Sequence, residues 1–418
     1  MLHFSTKALV ASLFLHAGIA AEGPSLEDNG EWFGEWDQQK VLGSDTAAAC
    51  EVSRVTAHEL AKGKTPVRFS TSPLDDLELP RIAPSNETGA DQWEFDGVSE
   101  DGKQGFTFGF YRDPNYAILG SGNLRMYVEF ALEDGTRWAQ VDYPPESIVE
   151  SCPGVGTRGV WKGDGYSYTW EVSEAMDKSR IAFDTPKGKG VIHLKSVAPP
   201  RYADGNVWKT ENASVSTVRH FYHAQPVPVA EATVDAIIEG KEVKWTGIGG
   251  HERLWAAFSW FTLLQSMTFI RTRTGPYALT LLEFGSWLDK GVTAGSVFLA
   301  EDGKKIFSSR STEPSETEDY YTYRKTYEKD GVTGNLHDKA TGFELDLVSP
   351  KNRKQWSFFI THKRVAFEYF LGEGKGGTAY TSTAIGGWIG ASQWKGIALT
   401  EILTFPERSM VIRRRYID

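Results

Sequence analysis

The chain has 418 residues, of which 40% are apolar and 24% charged, the composition of a folded protein long enough for two cores. Its net charge is -10, and no basic run is long enough to neutralise several phosphates, which argues against nucleic-acid binding. The 14 Trp, 16 Tyr and 23 Phe exceed what a core alone needs; aromatics favour strands and also line pockets for flat or greasy ligands.

The first predicted element is a targeting segment. MLHFSTK is a short, weakly basic start and ALVASLFLHAGIA an apolar stretch, with Gly18 and Ala20 three and one residues before Ala21. This pattern predicts a cleaved signal peptide over 1–20 and a secreted or lumenal protein of the secretory pathway. His16 interrupts the apolar run, so cleavage a residue later is the alternative. No later segment has about 20 uninterrupted apolar residues, so no membrane-spanning helix or stable membrane insertion is expected. Asn86-Glu87-Thr88 and Asn212-Ala213-Ser214 are N-glycosylation sequons. Cys50 and Cys152 are the only cysteines: they suffice for one disulfide, or are two separate buried thiols, and are too few for a cysteine metal centre.

Residues 22–65 are polar with weak periodicity. From 66 onward the signature is β. WEFDGVS (93–99), FTFGFYRD (106–113), LRMYVEFAL (124–132), RWAQVDY (137–143), YSYTWEV (166–172) and GVIHLKSV (190–197) are short aromatic and β-branched runs. Turns such as EDGKQG, EDGT, KGDG and TPKGKG separate them, a spacing that predicts a sandwich or barrel. The best short helix candidate is EVSEAMDKS (171–179). Paired prolines in 196–215 and the HAQPVPVA run (223–230) predict a boundary near 215–230, because proline is excluded from central strands; the domains are then 21–222 and 223–418. The second half resumes the β pattern from EATVDAIIEG through WSFFITHKRVAFEYFLGEG to GWIGASQWKGIALTEILTF, enough antiparallel strands to close a small barrel with a ligand-sized interior.

No nucleotide-binding, nucleophile-elbow, zinc-protease or calcium-loop motif is present, and GVGTRG (154–159) falls in a turn between β runs. His220 and His223, three apart in an extended segment, point to opposite faces, which argues against a metal site. Glu94, Glu252 and Glu283 invite a glycosidase reading, which needs two carboxylates about 5 Å or about 6.5–9.5 Å apart; a carbohydrate-binding protein fits the aromatic load as well. Alternation in WEFDGVS puts Trp93 and Phe95 on one face and Glu94 and Asp96 on the other, so Glu94 faces solvent or a pocket. Arg112-Asp113 reads as a strand-end ion pair. His251, Glu252 and Arg253 follow Gly249-Gly250, read as a turn; the histidine either bonds into a cavity or holds that turn together. Tyr222, Trp255, Trp260, Trp287, Trp356 and Trp388 are candidate pocket walls, of which about half are expected to touch a ligand and the rest to be ordinary core. Lys395 points into the barrel or snorkels outward.

WEFDGVS, FYHAQPVPVA, GIGGHERLWAAFSW, GPYALTLLEFGS and GGWIGASQWKGIALTE, in this order and spacing over 66–405, together resemble the fungal Diels–Alderases that form decalin rings. Those enzymes belong to a wider lipocalin-like, hydroxyneurosporene-synthase group. The resemblance implies an all-β protein with an N-terminal β-sandwich and a C-terminal lipocalin-like antiparallel β-barrel. It implies a pocket between them or in the barrel mouth, and no cofactor or metal. The substrate would be a hydrophobic linear polyene on a tetramic acid or similar acyl head, closed by an intramolecular [4+2] cycloaddition. The wider group contains carotenoid hydratases, so a hydratase of a polyene or terpenoid alkene is the alternative, and a carbohydrate- or lipid-binding protein without turnover a second. A cycloaddition moves no proton, so catalysis rests on holding the polyene in a near-attack shape and on a donor to the carbonyl conjugated to the dienophile. Lys395 and His251 are the nominated donors, and Glu94 orients the polar head or a donor. Tyr222, Trp255, Trp287, Trp356 and Trp388 would fold the chain, with Glu283 as a further substrate contact. Monomer and homodimer are both open.

Overall fold

A computed structural model describes residues 50–59, 66–85, 88–114 and 122–407; the signal-peptide segment and Asn86 lie outside these. The strands in chain order are β1 Glu51–Thr56, β2 Arg68–Phe69, β3 Ile82–Ala83, β4 Ala90–Ser99, β5 Gly105–Arg112, β6 Leu124–Ala131, β7 Arg137–Asp142 and β8 Glu146–Cys152. Next come β9 Gly156–Gly163, β10 Tyr166–Ser173, β11 Lys178–Thr185, β12 Gly188–Ser196, β13 Arg201–Tyr202, β14 Phe221–Ile238 and β15 Lys241–Ala256. After one helical turn, Trp260–Leu263, follow β16 Leu264–Thr274, β17 Tyr277–Ser286, β18 Thr293–Glu301, β19 Lys304–Ser309 and β20 Tyr320–Thr326. The last four are β21 Gly342–Ser349, β22 Lys354–Gly372, β23 Lys375–Trp388 and β24 Trp394–Thr404.

The strands form two large antiparallel sheets. The first runs β1-β8-β9-β10-β11-β12-β14-β15-β4-β5-β6-β7, with β13 beside β14; the second runs β19-β18-β17-β16-β24-β23-β22-β21-β20. The first sheet folds back on itself, so its halves make the sandwich. Trp93 of β4 meets Trp161 and Trp170 of β9 and β10 at ring separations of 5.4 and 5.7 Å, and Phe108 meets Phe183 at 5.3 Å. The second sheet is a nearly closed barrel around Leu279, Leu281, Val297, Phe343, Leu345 and Ile402. A third apolar layer lies between the sheets: Val98, Ile248 and Leu254 from the first, Phe269, Leu282 and Leu399 from the second. Period-two alternation puts core residues on one face of each strand and these on the other.

Three local expectations are corrected. The chain leaves the first sheet after Ala256 and enters the second at Leu264, so the crossing is at 257–263 and not at 215–230; β14 and β15 belong to the first sheet. Pro226 and Pro228 are tolerated inside β14 because the pairing with β15 slips between Ala224 and Val227 and again between Val227 and Ala230, where no ladder N–H is needed. Residues 171–179 are not helical: Ser173 ends β10, Met176 takes a positive φ of 54° and Lys178 opens β11. The Ser173 hydroxyl accepts from the backbone N–H of Asp177 and Lys178 and closes that hairpin, a serine turn outcompeting a helix. Gly249 and Gly250 lie within β15 rather than in a turn. They are glycine because a Cβ would stand 2.6 Å from the Asp96 carbonyl and 2.5 Å from the Arg271 guanidinium carbon.

Cys50 and Cys152 are joined by a disulfide across 102 residues, fastening the start of β1 to the end of β8.

Candidate active site

The face of β4 opposite Trp93 and Phe95 carries Gln92, Glu94 and Asp96, and it looks toward the second sheet. Glu94 pairs with Gly109 on one side and Glu252 on the other. Gln92 donates from Nε2 to Glu94 Oε2 at 2.5 Å and lies 3.4 Å from the Tyr111 hydroxyl. The Arg125 guanidinium rests 4.0 Å above the Tyr111 ring.

From the second sheet come Arg271 of β16, Tyr369 of β22 and Glu401 of β24. Arg271 pairs with Asp96, donates to Glu252 at 3.1 Å and donates from Nε to the Pro228 carbonyl at 2.7 Å. The Tyr369 hydroxyl donates to Glu401 at 2.8 Å. Behind Glu252, Gln225 donates to it at 2.6 Å, while Thr280 at 2.9 Å and Arg201 donate to the Gln225 carbonyl oxygen. Glu94, Tyr111, Arg125 and Tyr369 keep accessible surface although protein encloses them on both sides. The layer between the sheets is therefore less tightly covered at these polar groups, while Trp260 and Phe261, with half-buried Met267 and Leu371, belong to its apolar part.

Four carboxyl groups meet here with one directly paired arginine. Burial holds Glu94 well above the usual carboxyl range, and the nearby Glu401 and Glu252 add to this, against Arg271 and Arg125. Burial also pushes Glu401 up to about 7, opposed by the Tyr369 hydrogen bond. Arg271, lowered by burial to about 9, stays charged at neutral pH. Burial thus favours the neutral form of Glu94, and a neutral carboxyl is a hydrogen-bond donor.

Alternation sends the other nominated residues of β15 the opposite way. His251, Arg253 and Trp255 point into the core of the first sheet. His251 stacks on Phe95 at 3.9 Å, donates from Nδ1 to the Glu94 carbonyl at 2.8 Å and sets Nε2 3.0 Å from Glu78. Arg253 holds Asp91 and the Leu77 and Leu79 carbonyls, and Trp255 donates to the Ser70 carbonyl at 3.0 Å. His251 is a fastening for the 70–81 segment and not a donor to the inter-sheet space. Half-buried Tyr222 stacks on Trp255 at 5.8 Å.

Glu283 shares the barrel-interior face with Leu279 and Leu281 and accepts from the Tyr323 hydroxyl at 2.6 Å. It does not converge with Glu94, which removes the glycosidase pair. Trp356 is buried in the barrel against Phe307, and Trp287 is half-buried at the crossing, its backbone N–H donating to the Leu263 carbonyl at 2.9 Å. Trp388 is 43% exposed and Lys395 is exposed, so neither faces the inter-sheet space: both lie where β23 and β24 run beyond the cover of the first sheet. Arg112 bonds Ser147 and Ser53, a tie to β1 and β8. Sequence reasoning passed over Glu401, Tyr369, Arg271 and Gln92. Glu401 carries the signal that exposed Glu94, a lone carboxylate inside an apolar strand run, ALTEILTF.

The sequence profile of the Diels-Alderase-like family matches residues 47–406. Diels-Alderase ffsF of Aspergillus flavipes is 49% identical over 406 residues, covering 97% of this chain and 98% of that protein. Diels-Alderase cheD of Chaetomium globosum is 52% identical over 373 residues, 89% of this chain and 88% of that one. The chain belongs to the Diels-Alderase-like family. The crystal structure of CghA with Sch210972 has the same fold, with a TM-score of 0.73 over 85% of this chain and 99% of that one at 23% identity. This Diels–Alderase is a pericyclase of secondary-metabolite biosynthesis, performing an intramolecular [4+2] cycloaddition. Such a reaction needs apolar surroundings with a fixed polar end, and between the sheets of the Diels–Alderase an apolar layer adjoins the hydrogen-bonded Glu94.

Proposed function

We propose that the protein folds a linear polyene bearing a tetramic acid or similar acyl head into the inter-sheet space and closes it to a decalin. Two C–C σ bonds form from the diene and dienophile, one π bond is left in the new ring, and no proton is transferred or atom lost. The observation that carries this reading is the Glu94 carboxyl, which burial pushes toward its protonated form, beside the apolar layer between the sheets. Held against the carbonyl conjugated to the dienophile, it donates a hydrogen bond that strengthens as the oxygen gains charge. Gln92 fixes the Glu94 carboxyl, and the apolar walls hold the near-attack fold.

The test is liquid chromatography with mass detection on purified protein given a linear polyenoyl tetramic acid. The expected product is an isomer of unchanged mass, formed faster and with higher stereoselectivity than in buffer. Glu94→Ala should slow it by up to about 10²–10³-fold, the loss typical of a transition-state donor, whereas Glu94→Gln keeps a neutral donor and loses less. A protonated carboxyl is also what an alkene hydratase requires, so a product heavier by one water would replace this reading by that one.

The apolar segment at 1–20 and the Cys50–Cys152 bond support a secretory-pathway location, because disulfides persist in oxidising compartments. Asn212 is exposed, so native protein that shortens on endoglycosidase treatment, with the shift lost in Asn212→Gln, is the expected result.

A further inference from the structure

The outer face of the barrel, past the part covered by the first sheet, carries an apolar row. Phe359 of β22 lies directly opposite Ile385 of β23, and Ile385 opposite Lys395 of β24. Trp388, opposite Trp356 at the last position of β23, and Ile389 just after it carry the apolar surface onto the end of the barrel, where Trp394 opens β24. These five apolar side chains are between 43% and 50% exposed. The connection between β23 and β24 is tied back on itself, since Gln393 donates to the Trp388 carbonyl at 3.2 Å and Ile389 donates to the Gln355 carbonyl at 2.8 Å. The patch is therefore a fixed surface.

Cations surround it. Arg353, Lys354, Lys363 and Lys395 are exposed on the same strands or the turn before them, and none is ion-paired among the described residues. Carboxylates near it are Glu344, opposite Phe359 and held by Arg324, Asp346, opposite Ser357, and Glu301, which meets Tyr277 beside Trp388. A chain of net charge -10 thus gathers unpaired cations around exposed tryptophan, isoleucine and phenylalanine. Indole rings settle at the headgroup level of a bilayer, and neighbouring lysines are drawn to anionic lipid.

We infer that this rim of the barrel, Phe359, Ile385, Trp388, Ile389 and Trp394 ringed by Lys354 and Lys395, docks the protein reversibly on an anionic lipid surface. No span is involved: among the described residues no helix is long and apolar enough to cross a membrane. Lys395 shares its face of β24 with Glu401, about 20 Å along the strand at the usual rise, so docking sets the inter-sheet space close to the lipid. On the reading of the substrate as a polyene, which itself partitions into lipid, this shortens the route to the site.

The test is vesicle flotation of the full mature chain without substrate, so the result stands apart from the catalytic reading. Vesicles of phosphatidylcholine alone are compared with vesicles containing about one-third phosphatidylserine, at low and high salt. Binding to the anionic vesicles that salt weakens is expected, with at least about tenfold weaker partition in Phe359→Ser/Ile389→Ser and a loss confined to anionic vesicles in Lys354→Glu. Melting curves of the variants confirm that they fold. No flotation with either vesicle, or variants that float as well as the parent, would overturn the inference. So would a concentration-dependent dimer that Phe359→Ser/Ile389→Ser abolishes while vesicles go unbound, since the patch would then belong to a second copy.

Discussion

Glu94 and Glu401 are both held above the ordinary carboxyl range by burial, with Glu401 and Glu252 also raising Glu94 and Glu252 raising Glu401. The raised values mean that the folded state binds protons the unfolded chain has released. Stability therefore falls as pH rises from the ordinary carboxyl range near 4.5 toward and past about 7. Catalysis should follow the same protons. If protonated Glu94 is the donor, turnover holds at low pH and declines as pH rises through the raised range of Glu94. Glu94→Gln should flatten the profile, and Glu401→Gln should move the decline to lower pH by removing the neighbour that repels the Glu94 carboxylate; pH-rate profiles of the three proteins decide this. His251 belongs to the same scale with the opposite role. Its contacts to Phe95, the Glu94 carbonyl and Glu78 are lost in His251→Ala, which should cost about 2–4 kcal/mol in denaturant unfolding. Turnover below the lowered melting point should stay within a few-fold of the parent.

At the scale of the element, β15 shows how a strand serves two cores. Its odd-numbered residues from His251 to Trp255 fasten the first sheet, and its even-numbered Glu252 and Leu254 face the second. Gly250 sits where Arg271 of the other sheet comes closest, and Gly249 where β4 and Leu194 of its own sheet do. The Arg271 side chain that a Cβ on Gly250 would meet cannot move aside, because Asp96, Glu252 and the Pro228 carbonyl hold it. Gly250→Ala should therefore destabilise by about 1–3 kcal/mol as overpacking does, seen as a lower urea midpoint with an unchanged slope.

The whole molecule is two curled sheets clamped through one buried ion cluster. Arg271 is the second sheet's cation in the first sheet's acidic face, and its removal leaves Asp96 and Glu252 buried without it. Breaking such a pair from one side costs about 3–5 kcal/mol. Arg271→Ala should turn a single calorimetric transition into two, one for each sheet, and should abolish turnover at temperatures where the first sheet is still folded.

Much of this was legible in the chain. Alternation in WEFDGVS set Trp93 and Phe95 against Glu94 and Asp96, and the structure has that division. The turn-rich β runs and the family motifs led to two all-β units. Strand periodicity is local, so sequence reports it directly. Which face meets which core is not local. The same alternation that carried Glu94 to the inter-sheet space carried His251 and Trp255 away from it, and nothing in GIGGHERLW indicates which parity faces the second sheet. The prolines of HAQPVPVA suggested a boundary because a bulge that tolerates them depends on the partner strand. Glu401 and Glu94 lie at opposite ends of the chain, and only the packing of β24 on β4 brings them close enough for Glu401 to raise Glu94. Sequence by itself determined the strands and their two-sided character; the tertiary structure alone decided which sides enclose the reaction, because burial and charge proximity are properties of pairs of surfaces.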